Sequence, residues 1–85
     1  RNQRMSLTKY DRYCILDAVD TALDNSLFDN EEPWQLISDK LREEHALNSA
    51  EKAMLKTWLM EEAMSNRFAI AARLRFKRLS EQLEP

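Results

Sequence analysis

The side chains able to do chemistry are few in this chain: one histidine, one cysteine and fifteen carboxylates. Catalysis needs such groups held at reacting distance from one another. His45 stands alone and falls near the expected end of a helix, where an imidazolium interacts favourably with terminal carbonyls, so it reads as a capping residue. Cys14 has no histidine at a motif spacing and sits close to an apolar face, which suits a small hydrophobe better than a reactive thiol. Asp17, Asp20 and Asp24 share one helical face at a spacing that could hold hydrated Mg²⁺. No second helix offers a matching acid and histidine pattern, so they read as a solvated face. A calcium loop opening at Asp24 fails, because it would need glycine where Asp29 stands and glutamate where Gln35 stands. These readings leave no catalytic group, metal or cofactor to expect, and an enzyme is the weakest class.

Charge is more informative. Residues 67–78 carry Arg67, Arg73, Arg75, Lys77 and Arg78 with no acid among them, whereas residues 9–66 hold thirteen acids against six bases. Helical cations of this kind can track phosphates or meet an acidic protein surface. These five wrap most of the way round a helix, and no aromatic platform for bases accompanies them, so nucleic acid is the second reading. A net charge of −2 also argues against coating nucleic acid or anionic lipid over the whole surface. A helix-turn-helix fits poorly, since the joint before Ser49 lacks glycine and the helix after it offers only Lys52 and Lys56 early on.

The elements that must position these groups are helices. The 85 residues contain no glycine and only two prolines, and no segment alternates with the period of a half-buried strand. The expected fold is all-α: a small bundle or helical hairpin of three to four helices with a long C-terminal helix, forming a dimer. One domain is expected over residues 5–85, with Arg1–Arg4 read as added or upstream sequence. A first helix should start at Thr8, with Asp11 as a weak capping partner, and run to about Leu23. Its apolar cluster is Tyr13, Ile15, Leu16, Val19, Ala22 and Leu23, and Asn25 and Ser26 supply the stop. Leu27 and Phe28 should plug the core from the connection. Asn30 is the best cap for a second helix, with Pro33 in its first turn, Trp34, Ile37 and Leu41 as the seam, Leu36 alongside, and an end near Ala46.

The segment Ser49–Leu83 organises the rest. Asn48 and Glu51 make a capping box, and the residues beyond are rich in helix formers, so the reading favours one continuous or bent helix over a true loop at Ser65–Asn66. On that helix Met54, Trp58, Phe68, Ala72, Phe76, Leu79 and Leu83 form one apolar stripe, and Leu55, Leu59, Ala63, Ile70 and Leu74 form another. Glu61 falls on the first stripe, which implies either a rim carboxylate or a pair with Arg67 or Arg73 of a second chain. Two apolar stripes need more neighbours than two short helices supply. The expected function is protein recognition by a regulator or adaptor that self-associates as a homodimer. Trp58, Phe68, Ile70, Leu74 and Phe76 are its candidate anchors, rimmed by Arg67, Arg73, Arg75 and Arg78, and each of the five apolar residues fits the core of one chain equally well. No apolar run is long enough to cross a bilayer, no signal peptide is recognisable, and a single cysteine suits the reducing cytoplasm.

Overall fold

The computed structural model describes residues 8–83, which form four α-helices and no strand. They are α1 (Lys9–Asp24), α2 (Glu32–Arg42), α3 (Ser49–Ala63) and α4 (Ile70–Gln82). The expected domain limits at Met5 and Pro85, and Arg1–Arg4, lie outside the described residues. Residues 8–47 and 48–83 make two compact units, each a pair of packed helices.

In the first unit α1 starts where its cap predicts, with the Thr8 hydroxyl accepting from the Asp11 amide at 3.0 Å. It ends in a Schellman arrangement: the Leu27 amide donates to the Ala22 carbonyl and the Ser26 amide to that of Leu23. Ser26 itself takes the left-handed backbone, φ 55°, so the reversal falls one residue beyond Asn25. The cap of α2 is Glu31 and not the expected Asn30: no side chain caps the helix, the Asn30 side chain only accepts from the Glu32 amide at 3.4 Å, and Pro33 occupies the first turn. The helix stops at Arg42, four residues before the expected end at Ala46. Its second Schellman closure explains the early stop, with the His45 amide on the Lys40 carbonyl and Glu44 left-handed at φ 62°. This turn satisfies the carbonyls of Lys40 and Leu41 that the end of the helix leaves open.

Arg12 closes the same pair from the other side. Its guanidinium donates to the carbonyls of Lys40 at 3.3 Å and His45 at 2.9 Å, so the start of α1 lies against the end of α2. Between the helices the buried Ser38 hydroxyl donates to Asp20 at 2.6 Å, and Arg42 reaches the other Asp20 oxygen at 2.8 Å. Ile15, Ala18, Val19, Ala22, Ile37 and Leu41 are buried, and Phe28 stacks on the buried Trp34 at 4.3 Å between ring centres. Three expected core positions are corrected. Tyr13 is exposed because the α1 face that turns inward is the one carrying Ile15, Ala18, Val19 and Ala22; Leu36 is exposed because α2 turns inward by Trp34, Ile37 and Leu41; and Leu27 is exposed in the connection, where Phe28 packs on Trp34.

In the second unit the capping box at Asn48 forms in full, 2.7 Å from Glu51 amide to Asn48 side chain and 2.9 Å in return. The long helix does not continue through Ser65. The Ser65 hydroxyl lies 3.3 Å from the Glu62 carbonyl and accepts from the Arg67 amide at 3.1 Å, which diverts the backbone out of the helix. The chain turns back and α4 packs on α3. Trp58 and Phe76 meet at 6.5 Å between ring centres, and Phe68 packs edge-on against Phe76 at 4.9 Å. Leu55, Leu59, Leu79 and Leu83 complete this buried set, so members of both stripes share one core while Ile70 and Leu74 of the second stay exposed.

The left-handed turn at Glu44 offers a direct check of this geometry. That conformation costs a residue with a Cβ about 1–2 kcal/mol, while glycine forfeits about 0.5–1 kcal/mol more backbone freedom on folding. Glu44→Gly is therefore expected to stabilise the chain by about 0.5–1 kcal/mol, read as a higher urea midpoint at unchanged slope. A lower midpoint would contradict the turn described here.

Candidate functional site

Folding α4 back onto α3 leaves a cleft along the outer side of the pair, with a volume of about 590 Å³. Met60, Ala63 and Met64 line it from the α3 side, and Ile70 and Leu74 from the α4 side. Each of the large residues is substantially in water: Met60 is 45% exposed, Leu74 66%, Ile70 70% and Met64 74%. One such residue on a surface is ordinary; four around one cleft are a candidate contact site. Complete burial of each would contribute about 1.5–3 kcal/mol.

Cations frame this apolar floor, and two of them also hold the hairpin together. Neither α3 nor α4 has a base in its own last turn. Each receives one from the other helix. Arg73 of α4 donates through Nε to the Ala63 carbonyl at 3.2 Å, and Lys56 of α3 donates through Nζ to the Ser80 carbonyl at 2.6 Å. A cation at a helix C-terminus bonds a terminal carbonyl and complements the negative end of the dipole; the Ser80 carbonyl accepts from the Leu83 amide as well, at 3.3 Å. Lys77 sits one turn beyond Arg73 on the same wall, and Glu81 supplies the one acid of the lining. The cleft therefore pairs an apolar floor with a cationic rim. Its chemistry suits an amphipathic surface bearing acids beside apolar groups.

The structure divides the expected anchors. Ile70 and Leu74 lie in the cleft, whereas Trp58 and Phe76 are buried and the half-buried Phe68 packs on Phe76. The five cations divide as well. Arg73 and Lys77 reach the cleft, the exposed Arg78 and half-buried Arg75 lie on other parts of α4, and Arg67 stands 3.5 Å from Glu62. Glu62, and not Glu61, is the buried carboxylate of α3; Glu61 is exposed. The phase of α3 taken alone carries that signal, since Leu55, Leu59 and Glu62 fall at positions i, i+4 and i+7. The pairing arginine belongs to the same chain, which removes the need for a second one at this carboxylate. Met60 and Met64, spaced i and i+4, were missed because they fall on neither stripe.

The Asp20 carboxylate is taken up by Ser38 and Arg42, and no group of three or more potential ligands gathers among the described residues. His45 is exposed with Nε2 3.9 Å from Glu43, and Cys14 is half-buried. No helix among the described residues is long and apolar enough to cross a membrane. No family model, curated protein or solved structure matches this chain.

The division between cleft and core has a thermodynamic signature. Leu74→Ala and Ile70→Ala are expected to change unfolding free energy by no more than about 0.5 kcal/mol, whereas Leu79→Ala should cost about 2–5 kcal/mol. Urea titration of dilute protein measures all three. A loss at Leu74 comparable to that at Leu79 would place Leu74 in the core.

Proposed function

We propose that this chain is a non-enzymatic protein-recognition module, a small regulator or adaptor, whose working surface is the α3–α4 cleft and which associates with a second copy of itself. The observation that carries the reading is the grouping of Met60, Met64, Ile70 and Leu74, all well exposed, around one cleft edged by Arg73 and Lys77. An apolar patch with a polar rim is the usual anatomy of a protein contact site, and exposed methionines adapt their shape to what they meet. The single Cys14, without a disulfide partner in the chain, is compatible with a reducing compartment such as the cytoplasm.

A second reading rests on α4 itself, which carries Arg73, Arg75, Lys77 and Arg78 and no acid before Glu81. Such a helix could bind phosphates, but Arg73 is engaged with the Ala63 carbonyl and the four cations do not share one face. Protein recognition is the better-supported of the two.

Association of folded copies raises thermal stability by mass action. The melting temperature of the wild-type chain is expected to rise with protein concentration, and that of Leu74→Asp to stay flat. A wild-type melting temperature independent of concentration would overturn self-association. Tight binding of an oligonucleotide, weakening steeply with salt, would favour the second reading instead.

A further inference from the structure

We infer that the occupant of the α3–α4 cleft is helix α1 of a second copy, laid in by the face that carries Tyr10, Tyr13, Asp17 and Asp24. This deepens the proposed function and rests on its reading of the cleft as the contact surface. On α1 these four residues fall within an arc of about 60°. Tyr10 is 61% exposed and Tyr13 69% exposed, an unusual outlay of aromatic surface for one short helix. Asp17 and Asp24 are exposed, and neither makes a hydrogen bond or ion pair among the described residues. Asp20 differs, being engaged by Ser38 and Arg42.

The two surfaces match in order as well as in kind. Along α1 the aromatic pair precedes the acids; along α4 Ile70 and Leu74 precede Lys77. Tyr10 and Asp17 are seven residues apart, as are Ile70 and Lys77, so both stretches run roughly 10 Å along a helix. Laid alongside α4 in the same direction, α1 sets its tyrosines over the apolar end of the cleft and Asp17 beside Lys77. A cleft-to-cleft dimer would instead oppose Arg73 and Lys77 to their own copies, which repels.

Charge on the whole units points the same way. Residues 8–47 hold ten acids against four bases, and residues 48–83 hold four acids against seven bases. Electrostatic attraction between copies therefore favours unlike units meeting. Moreover, α1 ends in acids with no base in its last turn, the arrangement its own dipole disfavours. Cations from a second copy would relieve that conflict.

Sedimentation equilibrium on full-length chains tests the pairing by charge exchange. Asp17→Lys and Lys77→Glu alter exposed side chains, so both variants should fold as the wild type does, checked by circular dichroism. Each alone is expected to weaken self-association about tenfold, and Tyr13→Ala and Leu74→Asp should weaken it also. Mixing the Asp17→Lys and Lys77→Glu chains should restore association, because one of the two possible contacts is then wild type and the other is charge-reversed on both sides. If Lys77→Glu and Leu74→Asp weaken association while Asp17→Lys and Tyr13→Ala leave it intact, the cleft keeps its role and α1 as occupant is overturned. If the wild type associates and no variant changes it, both the inference and the cleft as contact surface fail; if the wild type stays monomeric throughout, self-association fails with them.

Discussion

The crossed pair of cation-to-carbonyl bonds between α3 and α4 is the constraint on which the second unit turns. Once the backbone leaves its helix at Met64, two helix ends expose carbonyls with no base in their own last turns. Arg73 and Lys56 supply the missing charge, each from the opposite helix. Hydrogen bonds to charged donors contribute about 1.5–3 kcal/mol each, a large share of what a unit this small can hold. They also anchor both cations at the margin of the apolar cleft. Stability and surface character thus have one cause: the groups that close the hairpin make its outer side both apolar and positively charged.

A similar economy operates in the first unit. With no glycine anywhere in the chain, the left-handed positions that end α1 and α2 fall to Ser26 and Glu44. The cost at Glu44 is offset by carbonyls bonded within the turn and by Arg12, which reaches across to the carbonyls of Lys40 and His45. The Asp20, Ser38 and Arg42 contacts fix the two helices further along. These interactions use the polar groups on the inner flank of α1 and leave its outer flank, aromatic at one end and acidic at the other, without partners among the described residues. The surplus surfaces of the two units are opposite in charge and alike in having apolar groups beside the charged ones.

The beginnings of α1 and α3 were legible in the sequence because they are decided locally, whereas α4 starts after Ala69 with no side-chain cap to announce it. Thr8 and the Asn48–Glu51 box each bond a backbone amide three residues away, a relation that spacing alone reveals. Helix ends were not, since they depend on backbone angles that Glu44 does not advertise and on bonds to residues far along the chain. The break at Ser65 was visible as a weak point, but its outcome depended on aromatic packing between Trp58, Phe68 and Phe76 across the turn. Carrying the apolar stripe on to Phe68 sets its phase at Glu61, whereas α3 by itself buries Glu62; of the core and interface positions that spacing leaves open for Trp58 and Phe76 the fold takes the core, and Met60 and Met64 fall on neither stripe. Ile70 and Leu74 lie exposed in the α3–α4 cleft.

The central claim is that one copy of this chain leaves the Met60 and Met64 side chains in water and that association covers them. Methyl resonances of the methionines, recorded with a soluble paramagnetic probe across a concentration series, address it most directly. The Met60 and Met64 methyls should be strongly broadened in dilute solution and progressively protected as concentration rises, while the half-buried Met54 changes little. Methyls of Met60 and Met64 already shielded at the lowest concentration, or equally accessible at every concentration, would contradict the account.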